Sequence, residues 1–392
     1  MKNKLLFLSC LLFAVSHFVR SQDQDSISKH FNSLKEARSQ ARKQKNYERC
    51  VQLSQQSIDL YEGIPKEKQK YYKYNISGAV YDLACYYSLT GKKEEALVQL
   101  QKAIDLGRAD IQNILEDPDL DPIRTDPSFS KVTRGANYLE ILQDAPGYTF
   151  SDNNKLEFSY MSPDDPNLIK LRLRFNLDSI AGNGDEFSRL RNLMLWVHNT
   201  IPHNGSSDPP SQKNALELIE FSQREKQGVN CRMLATILNE CYLAMGFKSR
   251  FVTCMPKVYH FDCHVINAVY STTLNKWLWM DPTMNAYVTD ENGTPLSIPE
   301  VRRALRQKTP VILNEDANWN NKIKQTKEHY LDYYMAKNLY YFSIPQRSEY
   351  NTETHYEGKI PLSYIQLTPL GYRPNSNAQT TNEEDFWQSP YQ

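Results

Sequence analysis

The chain has 392 residues, enough for two or three domains of ordinary size. Its 46 Lys and Arg balance 46 Asp and Glu, so no net field draws it to nucleic acid or to an anionic membrane surface. An apolar content of 40% supports packed cores, and beyond the N-terminal leader no stretch is apolar enough to span a bilayer.

Residues 1–21 read as a secretory signal peptide: Lys2 and Lys4 precede an apolar run from Leu5 to Val15, and Val19 and Ser21 suit the cleavage positions before Gln22. An exported protein, periplasmic or secreted, is expected. Six cysteines would then remain, at positions 50, 85, 231, 241, 254 and 263, in a compartment that permits disulfides. Cys254 and Cys263 are the best-placed pair, with burial as reduced thiols the equal alternative.

Residues 22–145 are expected to form an all-α domain. Residues 28–61 and 74–107 share a helix-pair pattern at an offset of 46. In the second copy Val80, Leu83, Ala84, Tyr87, Gly91, Ala96, Leu100 and Ala103 follow a spacing that resembles the tetratricopeptide repeat, which implies a surface for a protein partner. In the first copy Ala41, Asn46, Cys50, Ser54 and Ser57 hold the matching small positions. Asp117, Asp119 and Asp121 alternate, but Pro122 and Ser128 stand where a calcium loop needs Gly and Glu, so 117–129 reads as a rigid connector with Phe129 returning to the core.

Turn residues around Pro146 place a domain boundary there, and a second domain is expected over 146–345. It opens with an extended run from Lys155 to Met161. Asp165 with Pro166, and Asp185 ahead of Phe187, Leu190, Leu193, Met194 and Val197, mark two helices. Trp196 on the second reads as core rather than as a donor lining a cleft. His198 with His203, and His260 with His264, lack the accompanying Cys or carboxylate set that a metal site needs, so no metal is expected.

Chemistry concentrates between Gly228 and Thr283. Cys231 follows Gly228, Val229 and Asn230 and opens a helical apolar run, Leu234, Ile237, Leu238, Cys241 and Met245, closed by Gly246. A thiol in a helix's first turn meets unpaired backbone N–H groups and the positive end of the dipole, both of which favour the thiolate. Strand patterns follow at Arg250 to Cys254, at His264 to Tyr270 and at Trp277 to Met280, the last ending on Asp281, Pro282 and Thr283. Adjacent antiparallel strands would bring Asp281 beside His264. Cys231, His264 and Asp281 then supply a nucleophile, a base and an orienting carboxylate.

The G-x-x-C helix start, the Gly246 to Arg250 passage into a strand, the strand opening with His264 and the W-x-W-x-D-P-T ending together resemble the transglutaminase-like core of the papain-like thiol enzymes. The resemblance implies an α+β fold, with helices packed on an antiparallel sheet, and acyl transfer at amide bonds of a polypeptide. It implies Cys231 as nucleophile, His264 as base and Asp281 as orienting acid, with no cofactor. Hydrolysis is expected over transamidation, because Lys257, Tyr259 and His260 ahead of His264 offer no acidic pocket for a lysine ammonium. The alternative is a noncatalytic polypeptide-binding protein acting through its helical repeats.

Helices are expected at Ser297 to Gln307 and at Lys324 to Tyr341. Residues 346–392 read as a C-terminal extension, largely disordered from Arg373, because aliphatic residues are few.

Overall fold

The computed structural model describes residues 26–106, 111–134, 137–149, 156–208, 210–258, 263–375 and 377–391. The signal-peptide reading of 1–21, and the expectations resting on Lys155, Tyr259 and His260, lie outside these residues. Two compact units divide between Asn137 and Tyr138. Among the described residues no helix is long and apolar enough to cross a membrane.

The first unit is helical. Residues 26–43 pair with Tyr47–Glu62, and Lys73–Leu89 pairs with Lys93–Asp105. Asn46 caps its helix by accepting from the Arg49 N–H at 3.0 Å, and Gly91, at a φ of 76°, makes the tight turn between the second pair. Of the small positions, Ala41, Cys50, Ser54, Ser57, Ala84, Ala96 and Ala103 are buried, where short side chains let helices approach, whereas Asn46 is exposed and serves as the helix cap. Buried Arg38 joins the two pairs through Asp82 at 2.9 Å. Residues 117–129 fold as short helical turns, with Leu120, Ile123 and Phe129 buried.

The second unit is built on a six-stranded sheet. Its order is Gln379–Thr380, Tyr364–Leu367, Tyr341–Pro345, Ser249–Met255, His264–Ser271, Lys276–Met280, antiparallel except for the first pair. Val269, Leu278 and Met280 face a cluster formed by helices Pro166–Phe175, Glu186–Thr200, Ala215–Glu225 and Cys231–Ala244. Val252, Ile266, Ala268, Trp277 and Trp279 face the other way, onto Ile298–Gln307 and the segment around Tyr330. Alternation along each strand thus supplies two cores, one on each side. The expected caps hold: the side chains of Asp165, Asp185 and Ser297 each accept backbone N–H groups at their helix starts.

Several expected boundaries shift. The first unit ends at Asn137 rather than near 146, because Leu142 and Tyr148 are buried in the second unit's core and Arg302 lies over the Tyr148 ring at 4.4 Å. Of the extended run before Met161, only Ser159–Tyr160 is a strand. The helix expected over Lys324 to Tyr341 covers Glu328–Asn338 and begins with π-type turns. The C-terminal extension is ordered and structural. Tyr364–Leu367 and Gln379–Thr380 extend the sheet, Phe386 is fully buried, and its carbonyl accepts from buried Arg250 at 2.8 Å. Aromatic side chains there provide the buried area that aliphatic counting misses. Cys50, Cys85, Cys231, Cys241 and Cys254 are thiols, so the Cys254–Cys263 pair does not form.

The Cys231–Ala244 helix is buried from Met233 onward. Each large apolar side chain there stabilises the fold by about 1.5–3 kcal/mol, which offsets the polar residues that the helix also buries. Glu240 is one of these. Its Oε2 accepts from the Ala215 N–H at 2.7 Å and its Oε1 from the Asn351 N–H at 2.9 Å, tying three segments together. Burial raises its pKa to about 8, outweighing both donors and the charge of Lys359. An unfolded Glu titrates near ~4.3, so between these values the folded chain holds the extra proton and stability falls as pH rises. Glu240→Gln should remove that component. Its thermal midpoint should decline less steeply from about pH 5 to about pH 8 than that of the unsubstituted protein, and equal slopes would contradict the assignment.

Candidate active site

Cys231 is the first residue of its helix, and Asn230 caps it by accepting from the Met233 N–H at 3.1 Å. The cap leaves the Cys231 backbone N–H and side chain at the helix's positive end. His264 opens its strand opposite Cys254. In the neighbouring pair Asn267 faces Met280, so one step further along that register Asp281 falls on the same side of the sheet as Ile266 and His264. The three residues proposed from sequence therefore lie together. His264 Nε2–H donates to Asp281 Oδ2 at 2.7 Å, and the His264 ring favours ionisation of the Cys231 thiol.

The His–Asp pair is dry, with side-chain exposures of 1% and 0%. Water therefore cannot compete for it, and protein groups fill the remaining lone pairs of the carboxylate. Asp281 Oδ1 accepts from the Thr283 N–H at 2.8 Å and the Met284 N–H at 3.3 Å, while Oδ2 also accepts from the Tyr330 hydroxyl at 2.7 Å. Burial acts to raise the Asp281 pKa, but the charge and hydrogen bond of His264, with those other donors, hold it below the usual range. For His264, burial disfavours the charged ring, yet Asp281 and Cys231 outweigh it and raise the pKa to about 10. Burial likewise pushes the Cys231 thiol up, and interactions with His203 and His264 bring it down to about 6. The order of the two groups is inverted, so at neutral pH the site holds a thiolate beside an imidazolium.

Residues not assigned such a role from sequence complete the site. Tyr330 and Tyr334 sit four apart on the π-type helix, with Tyr330 on Asp281 and the Tyr334 hydroxyl 3.3 Å from His264 Nδ1. Their period of four along a tyrosine-rich segment was the available signal. His198 ties the turn after Asp281 to its own helix, its Nδ1 lying 3.0 Å from the Pro282 carbonyl. Next to the thiol, Arg232 pairs with Glu353 at 3.0 Å and donates to Thr253 Oγ1 at 2.8 Å, and Glu353 also accepts from the Tyr364 hydroxyl. Trp196 packs on Phe175 with ring centres 5.2 Å apart, in the helical core as expected. Among the described residues, only Cys85, Asp117 and Asp119 bring three potential metal-ligand atoms within 4.8 Å of one another. Asp119 there is paired with Arg42 at 2.6 Å and Asp117 with the Tyr81 hydroxyl at 2.8 Å.

No curated protein matches the chain. A solved structure from Cytophaga hutchinsonii, named as a candidate cysteine protease, is similar at 18% identity and a TM-score of 0.25; the similarity covers 40% of this chain and about half of that one, 49%. Residues 174–282, which hold Cys231, His264 and Asp281, match the family model of the transglutaminase-like superfamily, and the chain carries a transglutaminase-like core.

Proposed function

We propose that this is an exported, cysteine-dependent enzyme that transfers the acyl group of a polypeptide amide, to water more readily than to an amine. The observation that carries the reading is the Cys231 thiol at a helix start, its ionisation favoured by a buried His264 that Asp281 holds from behind. Cys231 Sγ attacks the amide carbonyl and the carbonyl electron pair moves onto oxygen. As the carbonyl re-forms, the C–N bond breaks and the leaving amine takes the His264 proton, leaving a thioester on Cys231. His264 then draws a proton from water, whose oxygen attacks the acyl carbon and releases the thiolate. Asp281 keeps the imidazole oriented and stabilises its charged form throughout.

Preference for water rests on the absence of an ammonium-binding carboxylate in the described surroundings of Cys231. Glu353 is the acidic group in that network, and Arg232 and Tyr364 already engage it. Export rests on the leader at residues 1–21. The paired helices of the first unit are proposed to hold a protein partner.

Labelling of Cys231 by iodoacetamide should rise through a midpoint at about 6 and, with substrate, turnover should fall again as His264 loses its proton near about 10. A labelling midpoint near ~8.5 that ignored His264→Ala would remove the activation argument. Asp281→Asn should fold and lose ~10²- to 10⁴-fold in turnover, whereas full activity would make the 281–283 turn purely structural. Offered peptides together with a labelled primary amine, the enzyme should give cleaved or deamidated products by mass spectrometry. Predominant Cys231-dependent incorporation of the amine would overturn the hydrolytic assignment.

A further inference from the structure

A second imidazole flanks the nucleophile. His203 forms a short parallel bridge with Val229, two residues before Cys231. Its backbone is clamped on both sides by one side chain: the His203 N–H donates to Asn320 Oδ1 at 2.6 Å, and the His203 carbonyl accepts from Asn320 Nδ2 at 3.0 Å. The neighbouring backbone is sewn to the approach of the Cys231 helix, with the Val229 N–H donating to the Pro202 carbonyl at 3.0 Å and the Asn204 N–H to the Val229 carbonyl at 2.7 Å.

Gly228 explains how the two segments come so close. A Cβ added there would lie 2.4 Å from the Pro202 carbonyl oxygen and 3.1 Å from Asn204 Cβ, a collision with backbone that no rotamer change relieves. Any side chain at 228 must therefore push away the strand that carries His203. The glycine three residues before the nucleophile is a spacer whose absent side chain sets the distance between His203 and Cys231.

The ring itself is oriented. Trp319 Nε1 lies 3.0 Å from His203 Nδ1, and an indole nitrogen only donates. Nδ1 is therefore the acceptor, and in the neutral ring the proton sits on Nε2. With Nδ1 occupied, Nε2 is the ring nitrogen left to act on the Cys231 thiol, whose ionisation His203 favours. Among the described residues, His203 and His264 do not gather with the sulfur at metal-ligand spacing.

We propose that His203 is the side-chain donor of the oxyanion hole, acting through Nε2–H together with the backbone N–H of Cys231. In the resting site the donor faces the thiolate. When Sγ bonds to the substrate carbonyl carbon, the negative charge leaves sulfur for the carbonyl oxygen two bonds away, and the same N–H group follows it. Trp319 keeps the proton on the donating nitrogen, and Asn320 and Gly228 keep the ring in place. The assignment rests on Cys231 as the nucleophile of the proposed thiol enzyme.

The test compares two reactions of Cys231 at a pH where its thiol is fully ionised. Acylation by p-nitrophenyl acetate passes through an oxyanion; alkylation by iodoacetamide does not. His203→Ala should slow acylation ~10²- to 10³-fold while changing alkylation by less than about threefold. His203→Gln, which keeps an N–H donor, should recover about tenfold or more of the lost acylation rate and guards against a folding defect in the alanine variant. Trp319→Phe should give a partial loss of acylation alone. Equal falls in both reactions would reduce His203 to a thiolate stabiliser and overturn the proposal, as would unchanged acylation in His203→Ala. Because any accessible thiolate gives both rates, failure of the unsubstituted protein to turn over amides would count against the proposed function and would leave this comparison intact.

Discussion

A carboxylate and an imidazolium sealed from water set the terms for the second unit. Taking each ion out of water costs several kcal/mol in a real protein, and their mutual attraction repays this only when the remaining lone pairs are filled. Asp281 meets that condition with four donors: His264 Nε2, the Tyr330 hydroxyl, and the N–H groups of Thr283 and Met284. The two backbone donors come from the turn that Pro282 begins, so the sequence just after the strand serves the charge at its end. The two side-chain donors come from a different strand and from a helix 49 residues on.

The sheet extends well beyond the strands that carry His264 and Asp281. Three strands carry or neighbour the triad, and three more, beginning at Tyr341, extend the sheet beyond Ser249–Met255. Phe342, Ile344, Ile365 and Leu367 on these outer strands, together with Phe386, share one apolar cluster with Trp277, Trp279 and Tyr330. On the opposite face, Glu240 fastens the Cys231 helix to the Ala215 helix and to the 351 loop, which fixes the nucleophile's element against its neighbours. Rigidity matters for the chemistry, because a thiolate and imidazolium stabilise each other only while they stay in hydrogen-bond contact.

How far the sequence revealed this site follows from where each residue sits. Cys231, His264 and Asp281 all occupy boundaries, a helix start, a strand start and a strand end, and boundaries leave local signals in Asn230, in the β-branched run after His264 and in Pro282. Tyr330, Tyr334 and His203 leave no comparable mark, since their value depends on contacts 49 to 70 residues away, or on one glycine's missing side chain. His203 was visible only as half of an unconvincing metal pair. The C-terminal strands were misread for a related reason: their pairing partners are distant in sequence, and aromatic residues carry their burial. The boundary error at 146 has the same origin, because Pro146 and Gly147 look like a linker although Leu142 and Tyr148 on either side are core.

The central claim is that His264 is charged at neutral pH because Asp281 and the Cys231 thiolate hold the proton on it. Nitrogen NMR of the labelled imidazole reads this directly. At about pH 8 both ring nitrogens of His264 should carry protons, with the second lost only near about 10. In Asp281→Asn that loss should move down towards the ordinary histidine range of ~6.5. A His264 ring in the unsubstituted protein that is already neutral at pH 8 would contradict the account.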